Sequence, residues 1–394
     1  MIIRNISSEQ DRIEYKRAYD VALGANYGEG YFPDEDHPKQ NIFGVFENEK
    51  LVSASYIFDY EVKIRNNIFR MGGFEGVLTV PGYRGKGYST QLFQHLYKTL
   101  NERGQFIAVL FPIYHALYKK RGFGLADEHI FHQFKLRNVK PLKFPNRTWK
   151  MVEKLNDEIK FIYDEASKHF NYIAKRYDSQ WKLKEKQLDF KFICYDEDNS
   201  PVGYCFLKFL KTHYLFKDPS KTLHIPEAFW LDNKTKHSFF QDFLLSFMDQ
   251  REYGSIVLPF GENLIELFTD DIIETRTIKP SSRLRIINVK ECLSKLNYPV
   301  QTFRLTIRIH DKHCDWNNKT FVLESKNGET TVNEDSSLQK VDLDLDIAAL
   351  AQLFVGSRSI SELSEFRDTK VKTESLTLID KLFPKQINFF RDFF

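Results

Sequence analysis

Pro81-Gly82-Tyr83-Arg84-Gly85-Lys86-Gly87-Tyr88-Ser89-Thr90 is the stretch on which the fold of this chain turns. An apolar run, Phe74 to Val80, leads into it. The segment that leads out, Gln91 to Leu100, places Leu92, Phe93, Leu96 and Leu100 on one helical face. A buried strand, a glycine-rich turn and an amphipathic helix put orphan main-chain N–H groups and the positive end of a helix dipole in one place. Such a turn suits phosphate. It is not a Walker loop, because Gly87 rather than Ser or Thr follows Lys86. Nor is it a dinucleotide fingerprint, since Gly85-x-Gly87 lacks the third glycine. A plain glycine turn is the rival reading, and the flanking strand and helix weigh against it.

Working outward, residues 1–140 read as an α/β unit. A charged helical stretch spans Ser8 to about Leu23, and a Gly-, Asp- and Glu-rich loop runs from Gly24 to Gln40. A hairpin follows, Ile42–Phe46 and Leu51–Phe58, and then a long buried strand, Ile68–Val80. Past the turn come a strand, Phe106–Phe111, and a helix, Ile113–Arg121, closed by Gly122 as a left-handed cap. A final strand, Ala126–Leu136, completes the unit. Pro141 and Pro145 mark a boundary.

Residues 141–285 repeat this outline, with a hairpin at Phe190–Tyr195 and Val202–Phe209, a helix Lys236–Asp249 and a strand Ser255–Pro259. At the matching strand-to-helix place they offer Asp232-Asn233-Lys234-Thr235 in place of glycines, which reads as a scaffold with no cofactor of its own. Residues 286–394 change texture again. Phe303–Ile309 alternates as a half-buried strand, and a helix, Asp346–Phe354, ends at Gly356. The last six residues hold four phenylalanines, so this end of the chain is expected to be buried.

The 394 residues allow two or three domains, and a formal charge of +3 gives no basic footprint for nucleic acid. The N-terminus is polar at once, and no stretch is long and apolar enough for a membrane helix. Cys194, Cys205, Cys292 and Cys314 are widely spaced, as expected of reduced thiols in a cytoplasmic protein. The histidines lack ligand spacing, so no metal is expected.

Arg84-Gly85-Lys86-Gly87-Tyr88-Ser89 resembles the Arg/Gln-x-x-Gly-x-Gly/Ala pyrophosphate loop of the GNAT N-acetyltransferases, with Ser89 standing where the family has Gly or Ala. Leu117-Tyr118-Lys119-Lys120-Arg121-Gly122-Phe123 resembles the family's second signature. The whole plan is similar to the Eis-like (enhanced intracellular survival) acetyltransferases. That resemblance implies tandem GNAT-like domains, the second degenerate, and a C-terminal sterol-carrier-protein-like α+β domain, with boundaries at 1–140, 141–285 and 286–394. It also implies acetyl-CoA as co-substrate and a homo-oligomer, specifically a homohexamer.

Acetyl transfer to an amine needs the CoA held, the thioester carbonyl polarised, the amine deprotonated and the thiolate protonated. The resemblance assigns the pyrophosphate to Arg84, Gly85, Lys86, Gly87, Tyr88, Ser89 and Thr90. It assigns the pantetheine arm and thioester to Val77, Leu78 and Thr79, with Ile113 and Tyr114 packing the arm. Core packing is the rival reading for those last two. Tyr118 is the implied acid, since a phenol near pKa ~10 stays protonated at neutral pH. Tyr114 is the fallback donor. The implied base is the carboxylate of Phe394, and the rival reading is that Phe389–Phe394 only plug an interface. Acidic residues Glu29, Asp34, Glu35, Asp36 and Asp392 could attract a polycationic amine, but a solvated charge run is the preferred reading.

The expected activity is acetyl transfer to a primary amine of a polyamine- or aminoglycoside-like molecule by direct transfer in a ternary complex. A protein lysine or N-terminal acetyltransferase and a non-catalytic CoA- or lipid-binding protein are the alternatives.

Overall fold

The computed structural model describes residues 1–24, 41–142, 146–186, 188–209, 218–269, 275–335, 337–366 and 369–392. Two compact units emerge, Met1–Ala126 with Ser282–Lys385, and Asp127–Ser281 with Gln386–Asp392. Among the described residues no helix is long and apolar enough to cross a membrane.

The first unit begins with β1 (Ile2–Asn5), α1 (Glu9–Leu23), β2 (Ile42–Glu47), β3 (Lys50–Ile64) and β4 (Asn67–Thr79). The turn between β3 and β4 is Arg65-Asn66, both at positive φ, so the hairpin is tight and both strands run longer than the local pattern suggests. Then come α2 (Tyr88–Glu102), β5 (Ile107–Leu110), α3 (His115–Lys119) and β6 (Gly124–Leu125), and much later β7 (Arg283–Ile286). The strand order is β1-β2-β3-β4-β5-β7-β6. Only β4 and β5 pair in parallel within this series, and only at Met71, Gly72 and Gly73.

The apolar face of α2 buries Leu92, Phe93, Leu96, Tyr97 and Leu100 with Ile57, Phe74, Ala108 and Leu110 of the sheet. Gly72 is needed at that contact. A Cβ there would lie 2.6 Å from the Leu100 side chain. α3 is shorter than the expected Ile113–Arg121, because Tyr114 is extended (φ −120°, ψ 94°) and starts the helix only at His115. Gly122 does take the left-handed conformation, at φ +83°.

The same unit holds a five-stranded sheet, ordered 329–334, 320–326, 303–310, 343–346 and 370–371. The helix expected over Asp346–Phe354 forms as Ile347–Val355. Asp346 caps its start by accepting from the Ala349 N–H, and Gly356 closes it at φ +74°. Every residue of that helix is buried, and it approaches β6 so closely that a Cβ on Gly124 would lie 2.2 Å from the Ala348 carbonyl oxygen.

The second unit is built on a seven-stranded sheet, ordered 275–280, 128–135, 253–259, 222–230, 201–208, 190–195 and 148–152. The strand expected to complete the first α/β unit therefore pairs here, antiparallel to Tyr253–Pro259 and to Thr275–Pro280. In the first sheet β7 lies beside β5 instead. The helix expected over Lys236–Asp249 begins earlier, at Asn233, because Asp232 caps it by accepting from the Thr235 N–H at 2.6 Å. That carboxylate stands where the first unit has its glycine turn, and a negative charge at a helix start opposes phosphate.

The described tail, Gln386–Asp392, packs into this second unit. Phe389 joins the core with Tyr163 and Phe229, and Phe390 stacks on Tyr172 at 5.2 Å. Arg176 donates to Asp392 at 2.7 Å and binds both oxygens of Glu227 at 2.8 and 2.7 Å, all three being buried. The four cysteines are free and buried.

Candidate active site

Past Gly73, β4 and β5 stop pairing while β4 continues to Thr79. A cavity of about 760 Å³ opens in that splay, lined by Phe74 to Thr79 on one side and Leu110, Phe111, Ile113 and Tyr114 on the other. No described residue pairs with that edge of β4, which suits an extended ligand that carries amide groups.

A bulge interrupts β4 inside the cavity. Glu75 pairs with Tyr56 and Leu78 with Ala54, so Gly76 and Val77 together oppose Ser55. Gly76 has φ +55°, and a Cβ on it would meet the Tyr19 ring at 2.7 Å and the Tyr15 hydroxyl at 2.9 Å. Only glycine fits both the backbone and the space.

The glycine turn forms one end of the cavity through Arg84, Gly85, Gly87, Tyr88 and Ser89. Gly85 and Gly87 sit at φ +80° and +86°, and a Cβ on either would meet nothing within 4 Å. The N–H groups of Tyr83 and Arg84 bond Val80 and Pro81, and those of Thr90 and Gln91 bond Gly87. Those of Gly85 to Ser89 have no acceptor among the described residues and lie at the N-terminus of the fifteen-residue α2. Lys86 and Thr90 do not line the cavity. The Lys86 ammonium lies 5.1 Å from the Tyr83 ring. The Arg84 Nε donates to the Thr79 carbonyl at 3.2 Å.

A turn that holds an anion carries a sharp expectation. Gly87→Glu should weaken CoA binding about tenfold by setting a carboxylate among the phosphates. Gly87→Asn, which tolerates the left-handed backbone without charge, should bind within about twofold of the parent. Isothermal titration with CoA measures both. Equal affinities for the Glu and Asn variants would remove the phosphates from this turn.

Tyr118 lines the cavity, half-buried, with its ring edge-on to Phe93 and Phe123 at 6.2 Å. Its hydroxyl has no hydrogen bond to a described residue, and burial raises its pKa above 10. It holds its proton at neutral pH. Ile113 and Tyr114 are highly exposed at the rim, 78% and 74%, so neither is core. Phe394 lies outside the described residues, as do Glu29, Asp34, Glu35 and Asp36. Asp392 is paired with Arg176 and is no part of this cavity.

Glu75 is the residue that inspection of the sequence passed over. It lines the cavity at the bulge, no described residue bonds or pairs with its carboxylate, and burial pushes its pKa up to about 8. A single acid within Met71-Gly72-Gly73-Phe74-Glu75-Gly76-Val77-Leu78, followed at once by a glycine, was the available signal.

The profile of the GNAT acetyltransferase domain matches residues 4–126, and that of a sterol carrier protein domain matches residues 289–391. The chain joins a GNAT acetyltransferase domain to a sterol carrier protein domain. It is an acyltransferase.

Solved structures agree on the fold. A GCN5-related N-acetyltransferase from Anabaena variabilis superposes with a TM-score of 0.86 at 20% identity, over 100% of both chains. One from Kribbella flavida gives 0.83 at 16%, covering 100% of this chain and 98% of that one. Eis1 from Mycobacterium abscessus gives 0.79 at 16%, over 100% of both. No curated protein matches the sequence. The cavity, the turn and Tyr118 all fall within the GNAT domain.

Proposed function

We propose that this enzyme moves the acetyl group of acetyl-CoA to a primary amine by direct transfer, both substrates being bound together. The carrying observation is that one cavity joins N–H groups at the glycine turn, an edge of β4, the Glu75 carboxylate and the Tyr118 hydroxyl, none of them partnered among the described residues. The pyrophosphate lies on Gly85 to Ser89, with Arg84 and Lys86 adding charge at the rim. The pantetheine arm pairs along Val77, Leu78 and Thr79, flanked by Ile113 and Tyr114. A main-chain N–H near the bulge faces the thioester oxygen.

In the reaction the amine nitrogen forms a bond to the thioester carbon, the C–S bond breaks, and CoA leaves as thiolate. The Tyr118 hydroxyl gives the thiolate its proton. Glu75 takes the proton that the amine loses. A carboxylate with a pKa of about 8 is far better matched to an alkylammonium near ~10.4 than one at its ordinary value.

The carboxylate of Phe394 is the second candidate for the base. The resemblance of the chain's plan to the Eis-like acetyltransferases supports it. Extending the chain by a few residues beyond Phe394 separates the two. If Glu75 is the base, the extended enzyme turns over and Glu75→Gln does not; the reverse pattern assigns the step to Phe394.

The acceptor we propose is a small polyamine- or aminoglycoside-like molecule. Acetyl-CoA consumption with spermidine, a kanamycin-like compound and a lysine peptide tests this. Turnover of the peptide alone would make the enzyme a protein acetyltransferase, and CoA binding without turnover of any amine would make it a binding protein.

A further inference from the structure

Ser89 stands at the last position of the phosphate turn, where a smaller residue would suffice for the backbone. Its hydroxyl has a specific partner. Arg121 Nη2 donates to Ser89 Oγ at 2.8 Å and Arg121 Nη1 to the Leu117 carbonyl at 3.2 Å, with the guanidinium over the Phe93 ring at 5.1 Å. Arg121 is 9% exposed and lines the cavity, so it forms the wall between the turn and α3.

The main chain of Arg121 is held in turn. Its carbonyl accepts from Arg285 Nη1 at 2.8 Å and from the Tyr97 hydroxyl at 3.2 Å. Arg285 is fully buried, lies over the Tyr97 ring at 4.3 Å, and directs Nη2 at both oxygens of Asp311, at 2.8 and 2.7 Å. Asp311 also accepts from the N–H groups of His313 and Cys314 and from the Asn317 side chain. The neighbouring residue is shaped around this contact. A Cβ on Gly122 would lie 1.7 Å from Arg285 Nη1.

A buried ion pair of this kind is poor value as stability alone, because hydrophobic residues of similar volume often serve as well. Its use here is geometric. Asp311 belongs to the sterol carrier protein domain and Ser89 to the phosphate turn, and Arg285 and Arg121 span the distance between them.

We infer that Arg285 and Asp311 are positioning residues for the acyl-CoA site, fixing Arg121 and through it Ser89, so that the sterol carrier protein domain sets the affinity of the GNAT domain for CoA. This rests on the proposed binding of acetyl-CoA at the turn. Loosening the relay should raise KM for acetyl-CoA and leave kcat at saturation nearly unchanged, because neither residue touches the reacting atoms.

The test is a coupling cycle. Ser89→Ala, the paired replacement Arg285→Met with Asp311→Leu, and the three changes together are each assayed for KM and kcat, with CoA affinity measured by titration. Ser89→Ala and the paired variant should each raise KM about three- to tenfold, the worth of one hydrogen bond. The triple variant should be no worse than the poorer of the two, because both cut one relay. A purely structural role predicts a lower melting temperature with KM unmoved, or KM effects that multiply in the triple variant. Either result overturns the inference. If the paired variant does not fold, Arg285→Lys takes its place, since an ammonium cannot reach Asp311 and the Arg121 carbonyl together, and the same outcomes decide. Failure of the parent enzyme to bind acetyl-CoA would instead overturn the proposed function.

Discussion

Replacing Tyr118 with Phe should lower kcat about 100-fold at neutral pH and leave KM for acetyl-CoA within about twofold. General-acid assistance is worth roughly 10²–10⁴ in rate, and the lower end applies here. The leaving thiolate has a conjugate pKa of about 8.5, so it departs more readily than an alkoxide and needs less help. Phe keeps the ring contacts with Phe93 and Phe123, so packing is preserved and only the hydroxyl is lost. The variant therefore isolates the proton. Burial holds the phenol protonated beyond its usual range, so the parent should keep its acid well into alkaline solution. Steady-state kinetics with acetyl-CoA and spermidine decide the matter. A kcat within threefold of the parent would leave Tyr118 as a wall of the cavity and turn attention to Tyr114, which shares the lining.

The contrast between what the sequence showed and what it hid has a physical basis. The strand, glycine turn and helix were readable because glycine spacing, the apolar run before the turn and the helical face after it are all local. Helix Ile347–Val355 was readable for the same reason, through Asp346 at one end and Gly356 at the other. Sheet membership was not. The strand Glu128–Lys135 has the pattern of a buried strand whichever sheet it joins, and only its pairing with Tyr253–Pro259 and Thr275–Pro280 decides. Arg285 was hidden because nothing in Arg283-Leu284-Arg285-Ile286 sets one arginine apart from the other. Its burial depends on Asp311, a partner that no local period reveals. Glu75 was hidden because its place in the cavity depends on a bulge, and a bulge is a property of two strands in register rather than of either alone.

Glu75→Gln carries the other large effect, a loss of about 10²–10³ in kcat/KM for the amine near neutral pH. Its pH dependence distinguishes a base from a mere binding group. With the Glu75 pKa near 8, parent activity should climb as pH rises through that value and the carboxyl gives up its proton. The Gln variant should lack that limb and climb only towards ~10, where the amine itself deprotonates, so the gap between the two enzymes narrows in alkali. Stability should move the opposite way. A carboxyl raised from 4.5 to about 8 by folding binds more protons in the native state between those values. Stability therefore falls as pH rises across that window and stays at the lower level above it. Gln has no charge to bury, so the variant should melt at a higher temperature than the parent at pH 9 and at nearly the same temperature at pH 4. A Gln variant that kept the limb near 8 would show that another group supplies the base, and the carboxylate of Phe394 would be the next to test. Loss of activity without the gain in alkaline stability would show that Glu75 is not desolvated as its place beside Tyr15, Tyr19 and Tyr56 demands. Both results together would describe a carboxylate kept uncomfortable in the folded protein because the chemistry needs it basic.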